Sequence, residues 1–323
     1  MKKLNWGILG TGWIATEMGE ALNRVNGEIY AVCDVTLEAA QKYADKFGVV
    51  KAYGNADDMI NDENIDIIYI ATPHNLHHRF LIQSLKAGKH VFCEKAITVN
   101  DQQLEEAVAI AKEKNLVISD GVTLFHMPLF KKLKEIVDSG AIGKVKMVQV
   151  NFGSCKEYDV TNRFFSKELA GGALLDIGVY ATSFARYFMA SRPDTVLTTA
   201  NFFETGVDET SGIILRNPEG EMAVMALTMR AKQPKRGVVA GELGYIEVNN
   251  YPRGGKAKIT YTEDGRVETI EVGETAKALD YEVLDMQDYV LNKTGESNLE
   301  YIRDVMHTLT EIRTQWGMVY PFE

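Results

Sequence analysis

The sequence predicts an α/β protein of two domains. Residues 1–120 read as a doubly wound parallel sheet, and residues 121–323 as an α+β domain built on an open, mainly antiparallel sheet. Three observations predict this. A chain of 323 residues exceeds the length over which one core usually keeps growing. Up to Asp120 short apolar runs alternate with amphipathic helical patterns, the signature of strand–helix–strand units. From Thr195 to Val272 the pattern turns to strands and turns, as antiparallel pairing requires.

A strand over residues 4–9 opens the first domain and runs into Gly10-Thr11-Gly12-Trp13-Ile14-Ala15, then a helix marked by Met18, Leu22 and Val25. Strand, Gly-x-Gly-x-x-Ala and helix in that order form a dinucleotide-binding pattern. Gly10 permits the tight turn, Gly12 lets the backbone approach a pyrophosphate, and Ala15 allows helix and strand to pack closely. The anion then rests on the helix N-terminus. The second strand, 29–33, ends at Asp34, about twenty residues beyond the fingerprint, where a carboxylate can accept a hydrogen bond from a ribose 2′-hydroxyl. Val35-Thr36 follows, with no arginine for a 2′-phosphate, so Asp34 favours NAD over NADP. The alternative is a helix cap at Asp34 or Thr36 for the helix Leu37–Phe47.

A short helix at 57–60, a strand at 65–70, a helix at 76–87 and a strand at 90–92 continue the alternation. A long helix, Asp101–Lys114, carries Leu104, Val108 and Ala111 on one face, and a strand at 116–119 closes the unit. The loop from Ala71-Thr72-Pro73 through His74, His77 and His78 lies at the carboxyl edge of the sheet. Its histidines lack zinc spacing and a carboxylate or thiol within the cluster, so no metal is expected. His78 reads as solvated, whereas His74 and His77 are placed to meet cofactor or substrate.

The run Val91-Phe92-Cys93-Glu94-Lys95-Ala96 ends a buried strand in a charged pair. Alone it reads as a surface ion pair. At the edge where open parallel sheets bind ligands, beside the glycine loop, Lys95 becomes a chemical candidate and Glu94 its support.

In the second domain a helix over 128–139 stops at Gly140, and 144–152 alternates as a strand. Gly171-Gly172-Ala173-Leu174-Leu175-Asp176-Ile177-Gly178-Val179-Tyr180 leads into a helix rich in Phe184, Tyr187 and Phe188. Asp176 and Tyr180, four apart, share one face of a helix. Strands follow around 213–215, 222–228, 245–248 and 257–261, and helices over 279–291 and Leu299–Trp316 close the chain. Tyr289 and Lys293 match the spacing of another dehydrogenase class but lie far outside the first domain, and the match is read as chance.

A formal charge of −10 disfavours nucleic acid and anionic membranes as partners, since both require local cation excess. Lys131-Lys132 and Lys144/Lys146 are short and read as solvated faces. Cys33, Cys93 and Cys155 are scattered without metal spacing, which suits a reducing compartment. Met1-Lys2-Lys3 leads directly into a strand and no apolar run reaches transmembrane length, so a cytoplasmic protein is expected.

Taken together, Gly10-Thr11-Gly12-x-x-Ala15, Ala71-Thr72-Pro73, Ala87-Gly88-Lys89-His90-Val91-x-Cys93-Glu94-Lys95, Ser139-Gly140-x-Ile142-Gly143 and the Gly171–Tyr180 stretch resemble the Gfo/Idh/MocA oxidoreductase family. The Asp-x-Gly-x-Tyr ending is similar to the dimeric dihydrodiol dehydrogenase and glucose–fructose oxidoreductase branch. The resemblance implies a Rossmann domain followed by an open-faced sheet domain, with nicotinamide in the cleft. It implies an NAD- or NADP-dependent oxidation of a secondary alcohol of a sugar, cyclitol or dihydrodiol-like substrate, or the reverse reduction. Cofactor contacts would come from Gly10 to Ala15, Asp34, Thr72, Pro73, His74, His77, Glu94 and Lys95, and substrate contacts from Lys95, Arg163, Asp176 and Tyr180. Two departures stand out: Ala96 where the family usually has proline, and Leu124-Phe125-His126-Met127 before Pro128 where many relatives carry Arg-Phe.

Moving a hydride from a carbinol leaves an alcohol proton, so a base is needed nearby. Tyr180 is the expected proton acceptor, with Lys95 polarising the substrate oxygen and lowering the phenol pKa; the two roles could be exchanged. Asp176 would position Lys95 or bind a substrate hydroxyl, and His74 or His77 would orient the ring or the lysine. Arg163 and His126 are weaker substrate candidates, each more often an exposed polar residue. Two other readings are a sugar–sugar oxidoreductase that never releases its cofactor, and a non-catalytic nucleotide sensor. An open sheet with one apolar face also predicts a homo-oligomer, a dimer or tetramer.

Overall fold

A computed structural model describes residues 3–292 and 298–323, and the chain clusters into two compact units. The first comprises Met1–Gly121 with Lys277–Glu300, the second Val122–Ala276 with Tyr301–Glu323.

In the first unit strands and helices alternate: β1 (Asn5–Leu9), α1 (Trp13–Arg24), β2 (Glu28–Cys33), α2 (Leu37–Phe47), β3 (Lys51–Tyr53), α3 (Ala56–Ile60), β4 (Ile67–Ile70), α4 (His74–Lys86), β5 (His90–Cys93), α5 (Asp101–Lys114) and β6 (Ile118–Asp120). The strands run parallel in the order β3-β2-β1-β4-β5-β6. All four residues of β4 are buried, as expected of a central strand with helices on both faces. The order reverses between β1 and β4, so the loops leaving those strands open at a topological switch point.

Two details differ from the sequence reading, at β3 and at the start of α4, and one of its alternatives is borne out, at Thr36. β3 is an additional strand, only three residues long and without a fully buried side chain, too short to show a period. Thr36 caps α2, its Oγ1 accepting from the Ala39 N–H at 3.2 Å, which leaves Asp34 outside that helix. α4 begins at His74, two residues before the expected start, because the extended Pro73 is its N-cap, so His74 joins His77 and His78 on the helix.

The second unit carries α6 (Pro128–Asp138), β7 (Val145–Gly153), α7 (Val179–Phe188) and the strands β8 (Thr195–Phe202), β9 (Asp208–Arg216), β10 (Met222–Thr228), β11 (Gln233–Gly241), β12 (Gly244–Asn249), β13 (Lys256–Tyr261) and β14 (Val267–Glu271). They form one sheet in the order β14-β13-β12-β11-β7-β10-β9-β8, in which β7 and β10 run parallel and the other neighbours antiparallel. Val148, Val150, Ile213, Leu215, Ala223 and Met225 are buried at alternate positions, and α7 packs on β7, β10 and β11. Gly237 makes room for this: a Cβ there would lie 2.3 Å from Phe184 Cζ. On the opposite face Leu197, Ile214 and Val224 stand in one register row and remain 61%, 37% and 39% exposed.

The stretch before α7 is not a regular helix. Leu174–Gly178 forms a π-helical turn, so Asp176 and Tyr180 are carried on a widened turn and the first turn of α7 respectively. Last come α8 (Ala278–Asn292) and α9 (Leu299–Trp316). α8 packs on α1, where buried Asp280 accepts from Arg24 Nε and Nη2 at 2.9 and 2.6 Å. Lys293 lies outside the described residues. No helix among them is long and apolar enough to cross a membrane.

Candidate active site

The glycine loop sits at the switch point. Gly10 has φ +99°, and a Cβ on it would lie 2.8 Å from the Ala71 carbonyl oxygen, so the loops leaving β1 and β4 touch where only glycine fits. Gly12 is different: a Cβ there would meet nothing within 4 Å. That open space beside bare backbone is the room a pyrophosphate would take. Ala15 is buried, with its carbonyl accepting from Tyr43 Oη at 2.6 Å; Ile14 is half-buried and Trp13 stands exposed on the rim.

The helix ends agree. α2, α3 and α5 have side-chain caps (Thr36, Asn55, Asn100) and acids in their first turns. α1 and α4 start from Gly12 and Pro73 without a side-chain cap and with no acid in the first turn. Uncapped N–H groups at the positive end of a helix dipole suit an anion, and an acid there would repel it.

Asp34 reaches back to this loop. Its Oδ2 accepts from the Thr11 N–H at 2.8 Å and from Thr11 Oγ1 at 2.5 Å, and its Oδ1 from the Val35 N–H at 2.6 Å. An ionised carboxylate has about four lone-pair sites, so a ribose hydroxyl still finds an acceptor, while a 2′-phosphate would meet like charge. The residues present thus fit a dinucleotide.

Next to Lys95, Glu94 is a buried group and not a surface one. Its Oε1 accepts from the fully buried Tyr69 Oη at 2.5 Å; that carboxylate raises the tyrosine's pKa further, beyond the effect of burial. The Glu94 N–H donates to the Ile70 carbonyl at 2.9 Å. The Lys95–Ala96 peptide is cis. His74 Nε2 lies 3.0 Å from the Lys95 carbonyl oxygen, His77 Nδ1 2.8 Å from that of Ala96, and His77 Nε2 2.8 Å from that of Thr72. With its ring fully buried between those two carbonyls, His77 ties the two loops together. His78 pairs with Glu106 at 3.0 Å. Among the described residues no group of three or more His, Cys, Asp or Glu side chains could hold a metal ion. Burial pushes the Cys33 thiol up to about 11, and Cys93 is raised by the same cause.

In the second unit Arg163 Nη1 lies 3.6 Å from Asp176 Oδ1, so two of the expected substrate residues meet each other. Tyr180 is half-buried, its ring centroid 6.1 Å from that of Phe152. His126 is buried, contrary to the exposed position expected of it, because it ends a buried 3-10 turn, Thr123–Phe125.

Two further residues were not foreseen. Asp208, fully buried, accepts from the Leu174 N–H at 2.7 Å and so anchors the π turn that carries Asp176. A Cβ on Gly172 (φ +113°) would lie 2.2 Å from Asp208 Oδ1, so the double glycine admits the carboxyl group. The second is Lys235, whose Nζ lies 4.6 Å from the Phe152 ring centroid. Its only sequence signal is a run of cations, Arg230, Lys232, Lys235 and Arg236, in an acidic chain.

Fold and glycine loop together define an oxidoreductase of the dinucleotide-binding class. Residues 4–122 match the model of an oxidoreductase family with an NAD-binding Rossmann fold, and residues 130–247 match the GFO/IDH/MocA C-terminal domain. The chain belongs to the Gfo/Idh/MocA family. A trans-1,2-dihydrobenzene-1,2-diol dehydrogenase of Xenopus tropicalis is 29% identical over 98% of this chain and 99% of its own. That of Mus musculus is 30% identical over 76% of this chain and 74% of its own. A levoglucosan dehydrogenase structure, complexed with NADH and levoglucosan, shares the fold with a TM-score of 0.88 at 20% identity, covering 99% of this chain and 100% of that one.

Burial pushes the Asp208 carboxyl up to about 7, although its bond from Leu174 opposes the shift. The folded chain then holds this proton to about pH 7, whereas the unfolded chain releases it near about pH 4. The contribution to stability is complete below the unfolded value and is lost as pH rises through the folded one. Thermal melts of wild type and Asp208→Asn from pH 4 to 8 should show the wild type losing stability relative to the variant up to about pH 7. Parallel curves would contradict the assignment.

Proposed function

We propose that this chain is an NAD-dependent dehydrogenase, or a reductase in the reverse direction, acting on a secondary alcohol of a sugar, cyclitol or dihydrodiol-like molecule. The observation that carries the reading is the placement of Lys95. It leaves the carboxyl end of β5, on the sheet edge that holds the glycine loop, with its own carbonyl and that of Ala96 gripped by His74 and His77. The curated relatives named as dihydrodiol dehydrogenases support an alcohol substrate.

Gly10 to Ala15 and the start of α1 would hold the pyrophosphate, Asp34 the adenosine ribose, and Thr72, Pro73 and Lys95 the part nearer the reaction. When bound, the nicotinamide supplies the acceptor or donor of the hydride. The chain's own work is proton management. Tyr180 takes the alcohol proton, Lys95 polarises the substrate oxygen and favours the phenolate, and Asp176, faced by Arg163, binds a substrate hydroxyl. Asp34 and the lack of an arginine behind it favour NAD over NADP. The exposed row Leu197, Ile214 and Val224 supports pairing of the open sheet with a second copy, and buried reduced thiols support a cytoplasmic setting.

Lys95→Ala should lower turnover by roughly 10²- to 10⁴-fold, the usual range for a group acting on the proton, while NAD still binds. Near wild-type turnover in a nicotinamide-absorbance assay over sugars, inositols and cyclic diols would sink the assignment. Gly12→Val separates cofactor from fold. Its side chain enters open space, so the melting temperature should hold while NAD binding by calorimetry is lost; unchanged affinity would remove the pyrophosphate from this loop.

A further inference from the structure

Several cations gather at one end of the second unit's sheet, drawn there from separate segments. Lys156 follows β7, Arg230 and Lys232 lie between β10 and β11, Lys235 stands near the start of strand β11, and Arg253 ends the 3-10 turn Tyr251–Arg253. Backbone bonds hold these segments together. The Lys156 N–H donates to the Met229 carbonyl at 3.1 Å, the Asn250 N–H to that of Lys235 at 2.6 Å, and the Arg253 N–H to that of Asn250 at 3.3 Å. The clustering is set by long-range packing in a chain whose net charge is −10.

A run of surface lysines is usually a solvated face. Two observations set this one apart. Lys235 lies over the Phe152 ring, whose centroid is 6.1 Å from that of Tyr180, so the cation stands one ring away from the proposed base. The residue as a whole is exposed, yet its ammonium, set against the Phe152 ring, is destabilised, first by partial desolvation and then by Lys156, Arg253 and Lys232, with Asp176 opposing. Asp176 already faces Arg163. Of the other acids nearby, Glu204 accepts from Tyr158 Oη at 3.0 Å, and Glu209 lies close to the same tyrosine. Crowded like charges beside a partly desolvated ammonium are relieved by an anion, through charge-assisted hydrogen bonds.

We propose that the substrate carries an anionic group, a carboxylate or a phosphate, which binds Lys235 together with Lys156 and Arg253 while its carbinol meets Tyr180. The position of the carbinol rests on the oxidoreductase reading above; the anion site does not. Phe152 would carry the apolar face of the ring that joins the two groups.

The test uses NAD-loaded protein and matched probes: glucose, galactose and myo-inositol as neutral forms, glucuronate and galacturonate as carboxylates, and the monophosphates of the three neutral forms. Binding is read by saturation-transfer NMR and turnover by nicotinamide absorbance, in wild type, Lys235→Gln and Lys156→Gln, at low and high salt. At least one anionic form should bind about tenfold or more tightly than its neutral parent, a preference weakened by salt and abolished by Lys235→Gln. The responding arm tells carboxylate from phosphate. Retained NAD affinity shows that the variants are folded. No anionic preference in the wild type, or a preference that survives both variants, overturns the proposal. Lys235-dependent binding without turnover of any probe upholds the anion site and counts against the oxidoreductase reading instead.

Discussion

The proposed chemistry depends first on the loop after β5 being held still, and that is the work of α4. By starting at His74, directly after Pro73, the helix puts His74 and His77 on one side, one turn apart. Their rings reach the carbonyl oxygens of Lys95, Ala96 and Thr72 at 2.8–3.0 Å. A buried carbonyl without a donor is costly, so these contacts fix the backbone at Lys95 instead of leaving a mobile lysine at a strand end. Glu94 is taken out of play by Tyr69 on the neighbouring strand. Glu94 thus supports the sheet edge, and the backbone of Lys95 is held beside it.

A second constraint is electrostatic. Acids and caps close the N-termini of α2, α3 and α5, while α1 and α4 are left bare where the strand order reverses. The same carboxylate, Asp34, orders the glycine loop through Thr11 and, in the proposed function, would meet the adenosine ribose. Loop order and the proposed cofactor choice would then share one side chain.

Much of this was legible in the sequence because it is written locally. The Gly-x-Gly-x-x-Ala turn, the acid at the end of β2 and the helices Leu37–Phe47, Asp101–Lys114 and Leu299–Trp316 are set by spacing within a few residues. What stayed hidden is set by neighbours distant in the chain. Asp208 meets Leu174 across 34 positions, and nothing near Asp208 announces it; only the paired glycines at Gly171-Gly172 hinted at a close approach. The π turn, the three-residue β3 and the burial of His126 likewise follow from packing, which periodicity does not record. Lys235 belongs with these: its neighbours Lys156 and Arg253 come from other strands and turns.

The proposed function has Lys95 and Tyr180 act on one substrate as a single proton-handling device. A double-mutant cycle on turnover with Lys95→Met, Tyr180→Phe and their combination tests it most directly. Residues that work as a unit lose little more together than the worse single change costs alone, and that is the predicted result. Losses that simply multiply would mean that the two side chains act independently, and would contradict the account.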